Sequence, residues 1–146
     1  MITIEQFQEV MRIKGENWTP LKEEILIVGV INNMSEDEVR KLPIENYKEL
    51  KMSITYMDFD PPETLIPEFK FEGVDYKVDT MFKTASQFID FSELKNDMIN
   101  NLHLILSLFA DGENKIEMAD KFKKVDYKIA YSVAFFFSRL LKESIE

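Results

Sequence analysis

Cysteine is absent from this chain of 146 residues, which excludes disulfide bridges, thiolate metal sites and cysteine nucleophiles. Glycine is scarce: Gly15, Gly29, Gly73 and Gly112 lie too far apart to form a loop that cradles a phosphate or a dinucleotide. A Gly-x-Ser-x-Gly nucleophile elbow is absent as well. We therefore predict no cofactor and no catalytic site of these types.

Basic residues are outnumbered by acidic ones. The 18 Lys and Arg against 27 Asp and Glu leave a formal charge of −9, whereas proteins that bind nucleic acid through its phosphates need clustered basic side chains. The best candidate for a local basic patch is a group of four lysines, and such a group in a helix-rich stretch is typical of a solvated face. These residues are Lys121, Lys123, Lys124 and Lys128. We predict no nucleic-acid binding.

Long apolar runs are also missing. The longest uncharged runs, 25–35, 98–110 and 129–138, are shorter than the roughly 20 residues that cross a bilayer, so we predict buried helices and no membrane partner. Residues 1–6 lack the basic start and the apolar run of a secretory signal, and we expect residence in a cytoplasm.

Few residues remain that could perform chemistry. The single histidine, His103, lies among leucines and an isoleucine as a helix-lining residue would, and nothing in the sequence supplies the nucleophile that a catalytic base needs. Two carboxylate clusters, Asp58 and Asp60 near Glu63 and the stretch 111–117, lack the ligand spacing of a calcium loop. We predict no catalytic site, no metal site and no enzyme activity.

Apolar side chains recur at helical spacing through most of the chain, 45% of which is hydrophobic. Several of these segments begin with a hydroxyl side chain that can cap a helix. The pairs that mark these starts are Thr3 with Gln6, Thr19 with Pro20, Ser35 with Glu38, and Thr84 with Gln87. We predict a mainly α fold with about seven helices.

The predicted helices follow from these starts and from the stop signals after them. We expect one that ends near Gly15, then 21–33, a short one that stops before Pro43, 44–58, one from Thr84 with a break near Ser92, then 93–110, 116–122 and 126–144. Asp111 and Gly112 are the expected stop of the long helix 93–110. A buried strand competes with the second helix, because residues 25–31 are apolar all round and rich in β-branched side chains.

Residues 59–83 differ from the rest, because they contain three of the five prolines. Phe69 and Phe71 alternate with charged residues, Gly73 supplies a turn, and Tyr76 and Val78 alternate again, which predicts a small β-hairpin near residues 68–79. We therefore expect a compact single domain, 1–146. Its parts are N-terminal helices (1–58), a linker with the hairpin (59–83) and C-terminal helices (84–146).

Aromatic residues are abundant, with 12 Phe, five Tyr and one Trp. Trp18 either packs on the helix that follows it or forms an exposed anchor for a partner. Phe135, Phe136 and Phe137 cannot all point one way on a helix, so at least one ring must face a second element or a second chain. The candidate partner contacts are Trp18, Phe69, Phe71, Tyr76 and Phe136.

The order of four short motifs carries a family resemblance. A Thr-Ile-Glu-Gln-Phe opening at 3–7 is followed by Ser-Glu-Asp-Glu-Val at 35–39 with Leu-Pro, by the hairpin at 71–78, and by Gln-Phe-Ile-Asp at 87–90. Together they resemble small morphogenesis proteins of tailed bacteriophages, particularly those infecting Bacteroidota, of the tail assembly chaperone-like kind.

This resemblance implies a viral protein without catalysis that binds hydrophobic segments of other phage structural proteins during virion assembly. The expected partners are a tape-measure protein, the tail tube or the portal region, and the expected location is the bacterial host cytoplasm during assembly, or the virion. One alternative is a permanent virion component, such as a head-to-tail connector or a packaged minor protein. Another is an acidic regulator or nucleic-acid mimic, and a homo-oligomer stays open.

Overall fold

A computed structural model describes residues 1–110 and 115–145, and the protein is 62% helical. The described residues form eight α-helices and one two-stranded antiparallel hairpin, so the predicted mainly α fold is confirmed. The elements are α1 (Ile4–Lys14), α2 (Pro20–Ile31), α3 (Glu36–Arg40), α4 (Ile44–Thr55), β1 (Glu68–Phe71), β2 (Val74–Lys77), α5 (Ala85–Leu94), α6 (Leu102–Phe109), α7 (Lys115–Phe122) and α8 (Tyr127–Ile145). Among them, no helix is long and apolar enough to cross a membrane.

The chain divides into two compact units. The N-terminal unit comprises Ile2 and Gln6–Asp60, and the C-terminal unit comprises Met1, Thr3–Glu5 and Pro61–Glu146. The division after Asp60 lies close to the predicted boundary between the N-terminal helices and the linker. The expectation of a single domain stays a prediction.

Helix α2 forms where a strand was the competing prediction. The Thr19 hydroxyl accepts a hydrogen bond from the Lys22 amide (3.3 Å), and Pro20 occupies the first turn, where its missing N–H costs nothing. At the other end, the Gln6 side-chain amide donates to the carbonyls of Val30 (3.2 Å) and Ile31 (3.4 Å), which lack partners within the helix. Capping at both ends therefore fixes the helix.

The turn from α2 to α3 depends on a glycine. Gly29 is buried, its carbonyl accepts from the Met34 amide (2.8 Å), and a Cβ atom at this position would lie 2.6 Å from the Met34 carbonyl oxygen. The predicted capping box follows at once, because the Ser35 hydroxyl accepts from the Glu38 amide (3.1 Å) and the Glu38 carboxylate accepts from the Ser35 amide (3.2 Å). As a result α3 turns back against α2 and seats the buried Val39 there.

Helix α4 ends earlier than predicted. It stops at Thr55 and does not continue to Asp58. The Met57 amide donates to the Ile54 carbonyl (3.0 Å), a tightened bond that closes the last turn. Beyond it the Asp58 carboxylate accepts from the Asp60 amide (2.8 Å) and stabilises a turn.

The predicted hairpin is confirmed in the C-terminal unit. Glu72 and Gly73, at φ 51° and 76°, form the two-residue turn between β1 and β2, and left-handed residues of this kind match the twist of hairpin strands. The strand register pairs Phe69 with Tyr76, and alternation places Phe71 on the same face. This apolar face packs on one ring of α7, Phe122, at centroid distances of 5.6, 6.0 and 5.2 Å for Phe69, Phe71 and Tyr76.

The predicted long helix 93–110 is wrong. Helix α5 continues through Leu94, a 3-10 turn covers Lys95–Asp97, and α6 begins only at Leu102. The break arises because the Asn101 side-chain amide donates to the Leu94 carbonyl (3.0 Å) and so caps the end of α5. The predicted stop at Asp111 and Gly112 and the start of the acidic stretch 111–117 lie outside the described residues.

The three consecutive phenylalanines of α8 do not all point the same way, as expected. Phe137 is fully buried and stacks on Phe109 with centroids 3.6 Å apart, and the rings of Phe82 and Phe91 pack around this pair. Phe136 is half-buried and meets Phe137 edge-on at 5.2 Å. These aromatic rings therefore pack in the core of the C-terminal unit.

Candidate functional site: an apolar groove in the N-terminal unit

An open groove of 260 Å³ lies between α2, α3 and α4. All of its lining side chains are apolar or aromatic except one arginine, and we call it the α2–α4 groove. The lining residues are Leu21, Ile25, Val39, Arg40, Leu42, Ile44 and Tyr47. Its volume lies below the roughly 300–1,000 Å³ that is usual for small-molecule sites, which favours single side chains of a larger partner as occupants.

The floor and the rim of the groove differ in exposure. Ile25 and Val39 are buried in one core cluster with Val28 and form the floor. Leu21 and Ile44, at the first turns of α2 and α4, are 63% and 62% exposed and flank it. An exposed apolar rim next to a buried apolar floor is typical of a protein-binding surface.

Ion pairs fix α3 against α2 beside the groove. The Lys22 ammonium lies 2.5 and 2.6 Å from the two oxygens of Glu36, and Nε of Arg40 donates to Glu36 Oε2 (2.9 Å). Hydrogen bonds from Lys22 and then from Arg40 hold the pKa of the Glu36 carboxyl below its usual value. Two cations therefore neutralise Glu36 at this side of the groove, and Asp37 and Glu38 of the same short helix are exposed carboxylates.

A second polar contact fixes α4 against α2. The Tyr47 hydroxyl donates to Glu24, and the Lys51 ammonium lies 3.6 Å from the same carboxylate. Burial, with Glu24 beside the hydroxyl, raises the pKa of Tyr47 to about 12. Tyr47 thus stays protonated at neutral pH and keeps its hydrogen bond, so the groove is held in shape without a partner.

A second cleft of 290 Å³ in the same unit is lined by charges of both signs above apolar side chains. The Lys14 ammonium sits 4.7 Å from the centre of the Phe59 ring, and Lys51 is paired with Glu24. These lysines are engaged with neighbouring groups, and the Thr55 hydroxyl in the lining donates to the Lys51 carbonyl of its own helix (3.0 Å). We assign it no chemistry.

Among the residues that the structure describes, those considered for catalysis and metal binding are not gathered into a site. His103 is half-buried on α6; burial lowers its pKa, Lys123 lowers it further, and Asp120 opposes the shift. The imidazole is therefore neutral at pH 7. Within residues 1–110 and 115–145, no group of three or more His, Asp or Glu side chains is placed to hold a metal ion.

The structure places the five predicted partner contacts in different surroundings. Trp18 is 39% exposed, and the Lys22 ammonium lies 5.7 Å from its ring. Lys22 also binds Glu36, so a row of contacts joins Trp18 to the α3 side of the α2–α4 groove. Phe69 is buried, Phe71 and Tyr76 are half-buried against the same ring of α7, and Phe136 is half-buried.

The basic patch candidate is partly neutralised. Lys123 pairs with Asp120 (3.1 Å) and Lys124 with Glu5, whereas Lys121 and Lys128 are exposed. This arrangement fits a solvated face.

Sequence reasoning missed the α2–α4 groove as a site. Leu21, Ile25, Val39 and Ile44 each have the spacing of ordinary core residues. The available signal was that Leu21 and Ile44 each follow a helix-starting proline, which places them in a first turn where side chains are often solvated.

Comparison with protein-family models, with curated proteins and with solved structures finds no match for this chain.

Proposed function

We propose that this protein is a non-enzymatic assembly protein that binds apolar segments of other proteins in the α2–α4 groove. The observation that carries the proposal is the exposed pair Leu21 and Ile44 beside the buried floor of Ile25 and Val39. The resemblance to tail assembly chaperone-like phage proteins supplies the class of partner: a tape-measure protein, a tail tube subunit or a portal-region protein.

The energetics support binding at this place. Leu21 and Ile44 are each more than half exposed in the isolated chain, and full burial of such a side chain contributes about 1.5–3 kcal/mol. The ion pairs of Glu36 and the hydrogen bond of Tyr47 hold the walls beforehand, which lowers the ordering cost of association. The charge of −9 keeps copies of the chain apart and so favours a different protein as partner.

The non-enzymatic part of the proposal is supported by how the titratable groups near the groove are used. Tyr47 is bound to Glu24, and Glu36 is bound to Lys22 and Arg40. These hydrogen bonds favour the protonated hydroxyl of Tyr47 and the ionised carboxylate of Glu36. A general acid or base instead needs a pKa near the working pH.

The proposal predicts that an apolar partner is lost when the rim becomes charged. We expect the chain, co-expressed with the tape-measure, tail tube and portal proteins of its source genome, to co-purify with at least one of them. The double variant Leu21→Asp with Ile44→Asp should lower the recovered partner about tenfold or more, because about 1.4 kcal/mol of lost burial is a factor of ten.

The matched control is Ile89→Asp, which charges an apolar side chain of similar exposure (55%) on α5. This variant should retain the partner, and circular dichroism should show unchanged helicity for both variants. The proposal is wrong if none of the three proteins co-purifies with the parent chain, or if the rim variant retains its partner as well as the control does.

A further inference from the structure

We infer that the occupant of the α2–α4 groove is an acidic amphipathic helix of a partner protein, whose apolar side chains enter the groove while a carboxylate pairs with Arg40. This inference rests on the proposed function and specifies the partner's chemistry.

The structure of the groove walls is the reason to expect a helix as the occupant. They are formed by three helices, α2, α3 and α4, so the walls offer mainly side chains and no strand edge. An extended segment that covered the groove would bury main-chain polar groups without partners, at a cost comparable to lost hydrogen bonds. A helix satisfies its own main chain and presents a row of side chains, as in other complexes of a helix in a groove.

The charged residue in the groove lining is the reason to expect an acidic helix. Arg40 is the charged residue of the lining; its side chain is 53% exposed, and only Nε is used, on Glu36. A guanidinium has five N–H donors, so most of its donors lack a partner among the residues that the structure describes. Lys41, the next residue, is also exposed. An opposite charge at this rim is attracted, whereas a lysine or arginine of the partner is repelled.

The net charge of the chain limits this attraction to short range. A protein of charge −9 repels acidic partners at long range, so an acidic helix gains attraction only where the basic rim is close. The contact with Arg40 therefore selects where the helix docks and in which orientation. A second copy of the chain is the rival occupant, and its repulsion extends over the whole surface.

The test uses two synthetic helices of about 15 residues, a length at which isolated helices begin to be stable in water. Both are capped at the ends, carry leucine on one face at helical spacing and contain no aromatic residue. The acidic peptide has glutamate at the flanking positions, and the basic peptide has lysine there. Binding is followed by the fluorescence of Trp18, the single tryptophan, which lies beside Lys22, and by calorimetry.

At an ionic strength of about 0.15 M, charges more than about 8 Å apart are largely screened. We then expect the parent chain to bind the acidic peptide about fivefold more tightly than the basic one, which is the contribution of a partly exposed arginine–carboxylate pair. Arg40→Gln should remove this preference while leaving binding measurable. Arg12→Gln is the matched control, because Arg12 is an equally exposed arginine (53%) in ion pairs on α1. It should leave the preference unchanged.

The outcomes separate the inference from the proposed function. If both peptides bind equally, or if Arg40→Gln leaves the preference intact, the acidic-helix inference is overturned while apolar binding in the groove stands. If neither peptide binds while a partner co-purifies, the acidic-helix inference is overturned and the proposed function stands. If no partner co-purifies, the proposed function itself is wrong. If sedimentation shows the parent chain to be a dimer that Leu21→Gln dissociates, the occupant is a second copy and the inference is overturned.

Discussion

Replacing Phe137 by alanine is expected to destabilise the protein by about 3–5 kcal/mol, the range found for truncating a buried phenylalanine. Phe137 has no exposed surface, stacks on Phe109 at 3.6 Å, and also contacts Phe82 and Phe91. Its removal leaves a cavity that these large rings cannot fill by small movements. The free energy of unfolding, measured in urea by circular dichroism, should fall accordingly.

The neighbouring residue provides the control. Phe136 is half-buried and lies on another side of α8, so Phe136→Ala should cost clearly less than Phe137→Ala. Equal losses for the two variants would contradict the assignment of Phe137 to the core.

Gly29→Ala is expected to cost about 1–3 kcal/mol, as for other insertions into a packed site. The added Cβ atom would lie 2.6 Å from the Met34 carbonyl oxygen. Because this oxygen belongs to the main chain, the turn that carries α3 must move, and the hydrogen bond from the Met34 amide to the Gly29 carbonyl (2.8 Å) is strained with it. The same urea titration measures the loss.

Gly15→Ala is the matched control for this second prediction. A Cβ atom at Gly15 would lie 3.5 Å from its nearest neighbours, which is ordinary contact, so its stability should stay within about 0.5 kcal/mol of the parent. If Gly29→Ala were equally harmless, the close packing of α2 against the turn to α3 would be incorrect.

Local signals made the helix starts and the hairpin predictable from sequence. The caps at Thr19 and Ser35 and the turn at Gly73 each depend on contacts within a few residues. The break after Leu94 was missed, because it depends on a side-chain hydrogen bond from Asn101 across the turn. An apolar run beyond it gave the appearance of one continuous helix.

The α2–α4 groove could not be predicted, because it depends on how three helices pack. Leu21 and Ile44 lie far apart in sequence, and nothing in either segment indicates that they flank the same floor. Conversely, the hairpin rings were predicted as partner contacts from their abundance and alternation. In the structure they pack on Phe122, which is a contact between residues far apart in the chain.

Methyl NMR of the parent chain, labelled at Ile, Leu and Val and titrated with the acidic peptide, tests the groove most directly. We predict that the resonances of Leu21, Ile25, Val39, Leu42 and Ile44 shift together with one affinity. Exposed methyl groups of the C-terminal unit, on Ile89 and Leu104, should keep their positions. Shifts confined to those two residues, with the groove methyl groups unchanged, would contradict the assignment of binding to the α2–α4 groove.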